Sequence, residues 1–193
     1  MTSKELLTLL QDEGETLLGS FQQSIGTLSR EQINWRLDMR YWSIAECLDH
    51  LNVVNKLYFP IVERAIFSCK DKPEFRDNDE TYMHTLTGNM MIKMVKPENR
   101  KRTKAPRLFL PTSSVYEVSI LSTFQAQHKV LLTYIEAAMG LNIALVKVYS
   151  PVNKIFKFNL GDALANIVHH DRRHFEQIFK TQEHPSFPLA PRR

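Results

Sequence analysis

Four long segments of the chain carry apolar residues at intervals of three and four positions, and this spacing limits the fold more than any other feature. The spacing places apolar side chains on one face of an α-helix. Strict apolar alternation, which would indicate strands, is nearly absent, and the 193 residues include only six glycines. Because each helix must bury its apolar face against another, the sequence predicts an all-α fold, a four-helix bundle.

Capping signals mark where the first two helices begin. The first helix is predicted over 3–28, preceded by a capping box in which Thr2 and Glu5 satisfy each other's backbone N–H groups. The second begins at Ser43, which forms a similar box with the glutamate three residues on. Pro60 lies inside this second helix and removes one backbone donor, so a kink or local break is expected there.

The second half of the chain contains the other two helices after a long connection. The third helix is predicted over 112–140 and the fourth over 159–182, each starting at a good capping residue. The polar connection 70–110 between helices two and three is predicted to hold a short helix over 80–95. With such long connections, the bundle need not follow a simple up-down-up-down order.

Composition indicates a single globular domain. With 43% hydrophobic residues the chain can bury a real core, so we expect one domain over 1–184 and a mobile, proline-containing tail over 185–193. No apolar run approaches the ~18 residues that span a bilayer, and no signal peptide is recognisable. Cys47 and Cys69 would lie about 33 Å apart on one helix and could not form a disulfide. These features predict a cytoplasmic protein without a membrane partner.

The placement of the histidines is the most informative feature for function. His170 and His174 fall in the middle of the apolar face of the fourth helix, and His50 falls on the apolar face of the second. His169 falls on the polar side and is expected to face solvent. Three imidazoles are therefore predicted to point into one bundle core.

Three buried imidazoles predict a metal site. Burying them costs free energy unless each has a partner, and one divalent ion would satisfy all three. Histidines at positions i and i+4 of a helix can share an ion, and a third from a facing helix leaves coordination positions open for water, as in catalytic sites. His50, His170 and His174 are the predicted ligands. Zn²⁺ or Ni²⁺ is favoured as the divalent ion, with Fe, Co and Mn as the alternatives.

A packing role is the alternative for each of the polar residues on these apolar faces. A buried histidine is more often a hydrogen-bonded packing residue than a metal ligand. His128 lies on the apolar face of the third helix, where packing or support of the site is favoured over ligation. Gln177, one turn beyond His174, could orient a bound ligand or simply satisfy the backbone.

Two motifs occur at the histidines, one on each of the helices that carry them. Residues 42–51 are Trp-Ser-Ile-Ala-Glu-Cys-Leu-Asp-His-Leu, and residues 170–177 are His-Asp-Arg-Arg-His-Phe-Glu-Gln. In this order they resemble the W-S-x-x-E-x-x-x-H-L and H-x-x-x-H-x-x-Q patterns of the DinB-like superfamily. Residues 28–35 also look like the exit from its first helix. The connection 70–110 is the least matched part of the chain.

The resemblance implies a bundle of DinB/YfiT type, commonly a homodimer, with a triple-histidine site for a divalent metal. Carried over to this chain, the ligands fall on His50, His170 and His174. Characterised relatives include bacillithiol S-transferases and other thiol-dependent enzymes. The resemblance therefore implies a thiol S-transferase or hydrolase in which a metal-bound water or low-molecular-weight thiol attacks a small electrophile.

Three further functions are compatible with parts of the sequence. A zinc protease is suggested by the H-x-x-x-H spacing, but Asp171 is one carbon shorter than the glutamate that acts as general base in that class. A non-catalytic metal- or ligand-binding bundle fits the same residues, since no second acid–base group is apparent. Nucleic-acid binding has little support, because the basic stretch 93–110 contains one aromatic residue, Phe109, for base stacking. Its basic residues are Lys93, Lys96, Arg100, Lys101, Arg102, Lys104 and Arg107.

Overall fold

The computed structural model describes residues 1–99, 101, 104–152 and 155–189. These residues form six α-helices and one β-hairpin. The helices are α1 (Ser3–Ser24), α2 (Arg30–Asn34), α3 (Ile44–Cys69), α4 (Leu86–Val95), α5 (Ser119–Ala137) and α6 (Leu160–Gln182). The strands are β1 (Lys147–Tyr149) and β2 (Lys157–Asn159), which pair antiparallel, and single 3-10 turns lie at Pro73–Phe75 and Arg107–Phe109.

The four long helices pack as a bundle, as the sequence predicts. Helices α1 and α3 each pack against both α5 and α6, so α1 lies diagonally across the bundle from α3. The short α4 lies outside this square, against α6 and β2. Two apolar clusters fill the interior, one around Leu7, Val62 and Leu164 and the other around Phe21, Leu48 and Phe124.

The predicted capping boxes before α1 and α3 are present, with Thr2 pairing with Glu5 and Ser43 with Glu46. Asn159 caps α6 with Asp162 in the same way. Pro60 does not break α3, which continues from Ile44 to Cys69 with the proline side chain exposed to solvent. These local signals therefore define the starts of three of the four long helices.

The first and third predicted helices are shorter than their apolar patterns suggest. Helix α1 ends at Ser24, and Ser29 then caps the separate short helix α2. Helix α5 begins at Ser119, because Thr112 instead donates its backbone N–H and hydroxyl to the buried carboxylate of Asp49. Local hydrogen bonds of this kind compete with helix formation.

The connection between α3 and α5 also differs from its prediction. Helix α4 starts at Leu86 instead of residue 80, because the Thr85 hydroxyl accepts the Gly88 N–H and caps the helix there. The residues just before it are not helical, and Tyr82 donates its backbone N–H to the Met1 carbonyl. The sequence does not predict the β-hairpin, since three-residue strands are too short to show alternation.

The first residues of the predicted C-terminal tail contact α2 and the residue that follows it. The Phe187 ring packs edge-on against Trp35, with ring centroids 5.6 Å apart. The Pro188 carbonyl accepts a hydrogen bond from the Gln32 side-chain amide. Residues 187 and 188 therefore contact the domain, the mobility expected of the tail over 185–193 stays a prediction, and residues 190–193 lie outside the described residues.

The buried carboxylate of Asp162 fastens the connection to the start of α6. It accepts hydrogen bonds from the Tyr82 hydroxyl, from Nδ1–H of His84, and from the backbone and hydroxyl of Thr85. This packing is so close that a Cβ on Gly88 would lie 2.0 Å from Asp162 Cγ. Only a glycine at position 88 allows α4 to approach α6 in this way.

Substituting Gly88→Ala is expected to destabilise the protein by about 2 kcal/mol or more, because the added methyl group must push α4 away from Asp162. Gly19→Ala is the matched control, since a Cβ there meets nothing within 4 Å. It should stabilise α1 by about 0.5–1 kcal/mol. Urea unfolding of both variants measures the difference, and equal stabilities would contradict the close approach of α4.

Candidate metal centre

Three histidines from two helices converge at one point in the bundle. The Nε2 atom of His170 lies 3.1 Å from Nε2 of His50 and 3.1 Å from Nε2 of His174. One ring nitrogen of each residue lies within 4.8 Å of those of the other two. The structure therefore brings together the three residues that the sequence singles out.

The three side chains are held between α3 and α6, largely out of water. His50 is 3% exposed and His174 is 7% exposed, whereas His170 is half-buried. Two nitrogens bound to one Zn²⁺, each about 2.0–2.1 Å from it, would lie roughly 3 Å apart. The separations of 3.1 Å therefore fit a shared divalent ion.

The hydrogen bond on the other side of the His50 ring prepares it for ligation. Its Nδ1 lies 2.5 Å from the backbone carbonyl oxygen of Phe109. A carbonyl can only accept, so Nδ1 carries the proton and donates it. In the neutral ring Nε2 then has a free lone pair directed at the other two histidines, which is the tautomer a metal ligand needs.

The electrostatic surroundings favour neutral rings at this site. Burial, followed by the proximity of His50 and Arg173, lowers the pKa of His170 well below its ordinary value. Burial and the same neighbours, together with His170, do the same to the pKa of His174. Burial lowers the pKa of His50 as well, although the Phe109 carbonyl opposes the shift. Neutral imidazoles are the form that binds metals.

One nitrogen of the site has no hydrogen-bond partner among the described residues. Nδ1 of His174 is buried and makes no bond that meets ordinary geometry. Hydrogen bonding by the side-chain amide of Gln177 partly opposes the lowering of the pKa of His174. An ion bound at Nε2 would satisfy the side of this ring that faces the two other imidazoles, and the Gln177 side-chain oxygen is the acceptor available to Nδ1–H.

An aromatic ring closes one side of the centre. Trp42 stacks on His174, with ring centroids 5.9 Å apart and planes 22° apart, and its centroid lies 4.9 Å from that of His50. The sequence motif marks Trp42 only as the residue before a helix start. Trp42 therefore lines the site on one side. Because it contacts two of the three histidines, its fluorescence can report on binding at the site.

The basic connection is fastened to α6 next to the histidines. Arg173 donates hydrogen bonds to the backbone carbonyls of Lys96, Asn99 and Lys101. Arg172 bridges Glu98 of the connection and Glu13 of α1. Arg100 and Arg102, which belong to the predicted basic stretch, lie outside the described residues.

Two other histidines differ in how well the sequence places them. His169 is half-buried and its Nδ1 lies 3.4 Å from Glu13 Oε2, so the expectation that it faces open solvent is wrong. Helix α1 covers that side of α6. His128 is fully buried, and its two nitrogens contact Asp171 and the Gly14 carbonyl, which fits the packing role favoured for it.

Comparison with protein families gives one match. The model of the DinB superfamily matches residues 15–178, a range that includes all three converging histidines. No curated protein and no solved structure matches the chain. None of the helices in the described part of the chain has the length and hydropathy that a bilayer-spanning segment needs.

Proposed function

Because the chain belongs to the DinB superfamily, we propose that it is a divalent-metal-dependent enzyme, a thiol S-transferase or hydrolase acting on a small electrophile. The observation that carries the proposal is the convergence of three histidines inside the bundle, with Nε2 of His170 lying 3.1 Å from Nε2 of each of the other two. His50, His170 and His174 would hold the ion. When bound, a metal such as Zn²⁺ or Ni²⁺ would lower the pKa of a coordinated water or thiol and so supply a nucleophile at neutral pH.

The chain's own residues support this chemistry by positioning and by excluding water. The Phe109 carbonyl fixes the tautomer and the orientation of the His50 ring. Trp42 covers the histidines on one side and keeps bulk solvent away from them. The half-buried His170 marks the side from which small reactants would approach, since the other two histidines are nearly inaccessible.

A non-catalytic metal-binding bundle is the second candidate function. The observation that favours it is the packing around the site, where His50 and His174 are less than one-tenth exposed and contact Trp42. Such a site could hold an ion for stability alone.

Assembly as a homodimer is a separate part of the proposal and is checked by light scattering after size-exclusion chromatography.

The proposed function is tested on untagged protein that has not met a chelator. We expect about one equivalent of a transition metal per chain by elemental analysis. Metal-loaded protein should accelerate the reaction of a low-molecular-weight thiol with a model electrophile, or the hydrolysis of an activated ester. Chelator-treated protein and His174→Ala should not. Stoichiometric metal without either activity would favour the non-catalytic bundle, and absence of metal binding would contradict both.

A further inference from the structure

Asp49, the residue before His50 on α3, holds the chain segment that leads into α5. Its Oδ2 atom accepts hydrogen bonds from the Thr112 backbone N–H at 2.6 Å, the Thr112 hydroxyl at 2.9 Å and the Tyr116 hydroxyl at 2.8 Å. The carboxylate is 9% exposed and has no ion-pair partner among the described residues. Such a buried anion requires these donors, so the segment is fixed firmly to α3.

The same segment provides the acceptor for the His50 ring. Phe109, whose carbonyl oxygen lies 2.5 Å from His50 Nδ1, precedes Thr112 by three residues. Two consecutive residues of α3 therefore hold this stretch at two points, Asp49 at Thr112 and His50 at Phe109. Three residues of chain reach at most about 10 Å, so the anchor at Thr112 limits where the Phe109 carbonyl can lie.

Other hydrogen bonds hold the segment only farther along the chain. Asn34 accepts the Tyr116 backbone N–H at 2.7 Å, and Arg36 donates to the Ser114 carbonyl at 2.8 Å. Without Asp49, residues 114–116 would stay attached to the bundle, whereas residues 110–112 would lose their anchor and Phe109 would keep only the packing of its ring against the core. The effect of removing Asp49 is thus directed at the Phe109 carbonyl and not at the fold as a whole.

We propose that Asp49 is a positioning residue of the metal centre, which acts by holding the Phe109 carbonyl against His50. The inference rests on the proposed function, since it concerns a ligand of the same centre. Loss of a partner that orients a ligating histidine typically weakens metal binding 10–100-fold. The anchor sets the His50 tautomer and ring direction through the backbone, although its carboxylate is not itself a ligand.

The test measures Co²⁺ affinity by calorimetry and the Co²⁺ visible absorption spectrum in folded variants. Asp49→Ala should bind Co²⁺ about 10–100-fold more weakly, with an altered spectrum. Asp49→Asn should stay close to wild type, because its amide oxygen can accept the same hydrogen bonds. The double variant Thr112→Val with Tyr116→Phe should fall between them, because the Thr112 backbone N–H remains.

Tyr82→Phe is the matched control for loss of a tyrosine hydroxyl from a buried carboxylate. Tyr82 donates to Asp162 as Tyr116 donates to Asp49. Asp162 precedes His170 by eight residues, about 12 Å along α6. Tyr82→Phe should lower the unfolding temperature without changing Co²⁺ affinity or the spectrum. A purely structural role for Asp49 predicts the same behaviour for its own variants.

The proposal is overturned if Asp49→Ala and the double variant both bind Co²⁺ within twofold of wild type with an unchanged spectrum. If Asp49→Ala does not fold, the double variant, which keeps the Asp49 carboxylate and one donor, decides the question alone. Failure of the wild-type protein to bind Co²⁺, Zn²⁺ or Ni²⁺ would overturn the proposed function and this inference together. Metal binding by wild type with unaffected variants would overturn this inference only.

Discussion

Substitution of His170 by alanine is expected to lower the affinity for a divalent ion by more than about 100-fold. His170 Nε2 is the central atom of the site, 3.1 Å from the nitrogens of both His50 and His174. Loss of an outer partner of a ligating histidine already costs about 10–100-fold, and loss of the ligand itself should cost more. The two histidines that remain would lie on different helices with no nitrogen between them.

His169→Ala is the matched control, because the same side chain is removed from the neighbouring position of α6. His169 lies beside Glu13 and does not belong to the group of converging nitrogens. Its removal should leave metal affinity within about twofold of wild type, as expected for a residue outside the coordination shell and its partners. If both variants lost binding equally, the effect would come from damage to α6 instead of loss of a ligand.

Trp42 provides the measurement for this pair of variants. The chain has two tryptophans, and Trp35 packs against His184 and Phe187 at another part of the bundle. In a Trp35→Phe background, Ni²⁺ bound by the histidines should quench the remaining fluorescence, because Trp42 contacts His50 and His174. His169→Ala should titrate like its parent, and His170→Ala should show no saturable quenching in the same range.

The main helices and the histidine site could be predicted because their causes are local. Apolar spacing places His50, His170 and His174 on the inward faces of their helices, and a bundle with those faces inward brings them together. The capping boxes at Thr2 and Ser43 place the helix starts correctly for the same reason, since each uses residues three positions apart.

What the sequence could not predict depends on contacts between distant parts of the chain. The acceptor that orients His50 is a backbone carbonyl 59 residues away. Every residue has a backbone carbonyl, so the residue type does not indicate which one accepts this hydrogen bond. Thr112 looks like a helix cap, but Asp49 binds it from another helix. His169 is on the polar side of its own helix, yet α1 covers it. Contacts between distant parts of the chain, and not local propensity, decide each case.

The hydrogen bonds of His128 support a second large effect, on stability. This histidine is 0% exposed, and its Nε2–H donates to the Gly14 carbonyl at 2.8 Å while its Nδ1 lies 3.0 Å from Asp171 Oδ2. Burial lowers the pKa of His128, but the hydrogen bond and charge of Asp171 outweigh it and raise the pKa. The shared proton lies between His128 Nδ1 and Asp171 Oδ2, and the pair has no net charge whichever of these atoms carries it. The bundle core therefore tolerates the pair.

Asp171→Ala should therefore destabilise the metal-free protein by about 3 kcal/mol or more, because it leaves His128 buried without its partner. For a chain of this size the unfolding temperature should fall by about 6 °C or more. The exposed Glu176→Ala, on the same helix, should change stability by no more than about 0.5 kcal/mol.

Adding His128→Leu to Asp171→Ala should restore part of the loss, since the second substitution removes the orphaned polar ring and keeps apolar volume in the core. Wild type, Asp171→Ala, Glu176→Ala and the double variant are compared by calorimetry. Chelator is present throughout, so that metal binding at the neighbouring His170 does not contribute to stability. The opposite result is a double variant with a lower free energy of unfolding than Asp171→Ala, as expected if a second core substitution adds its own cost. That result would show that the two residues do not act as a pair.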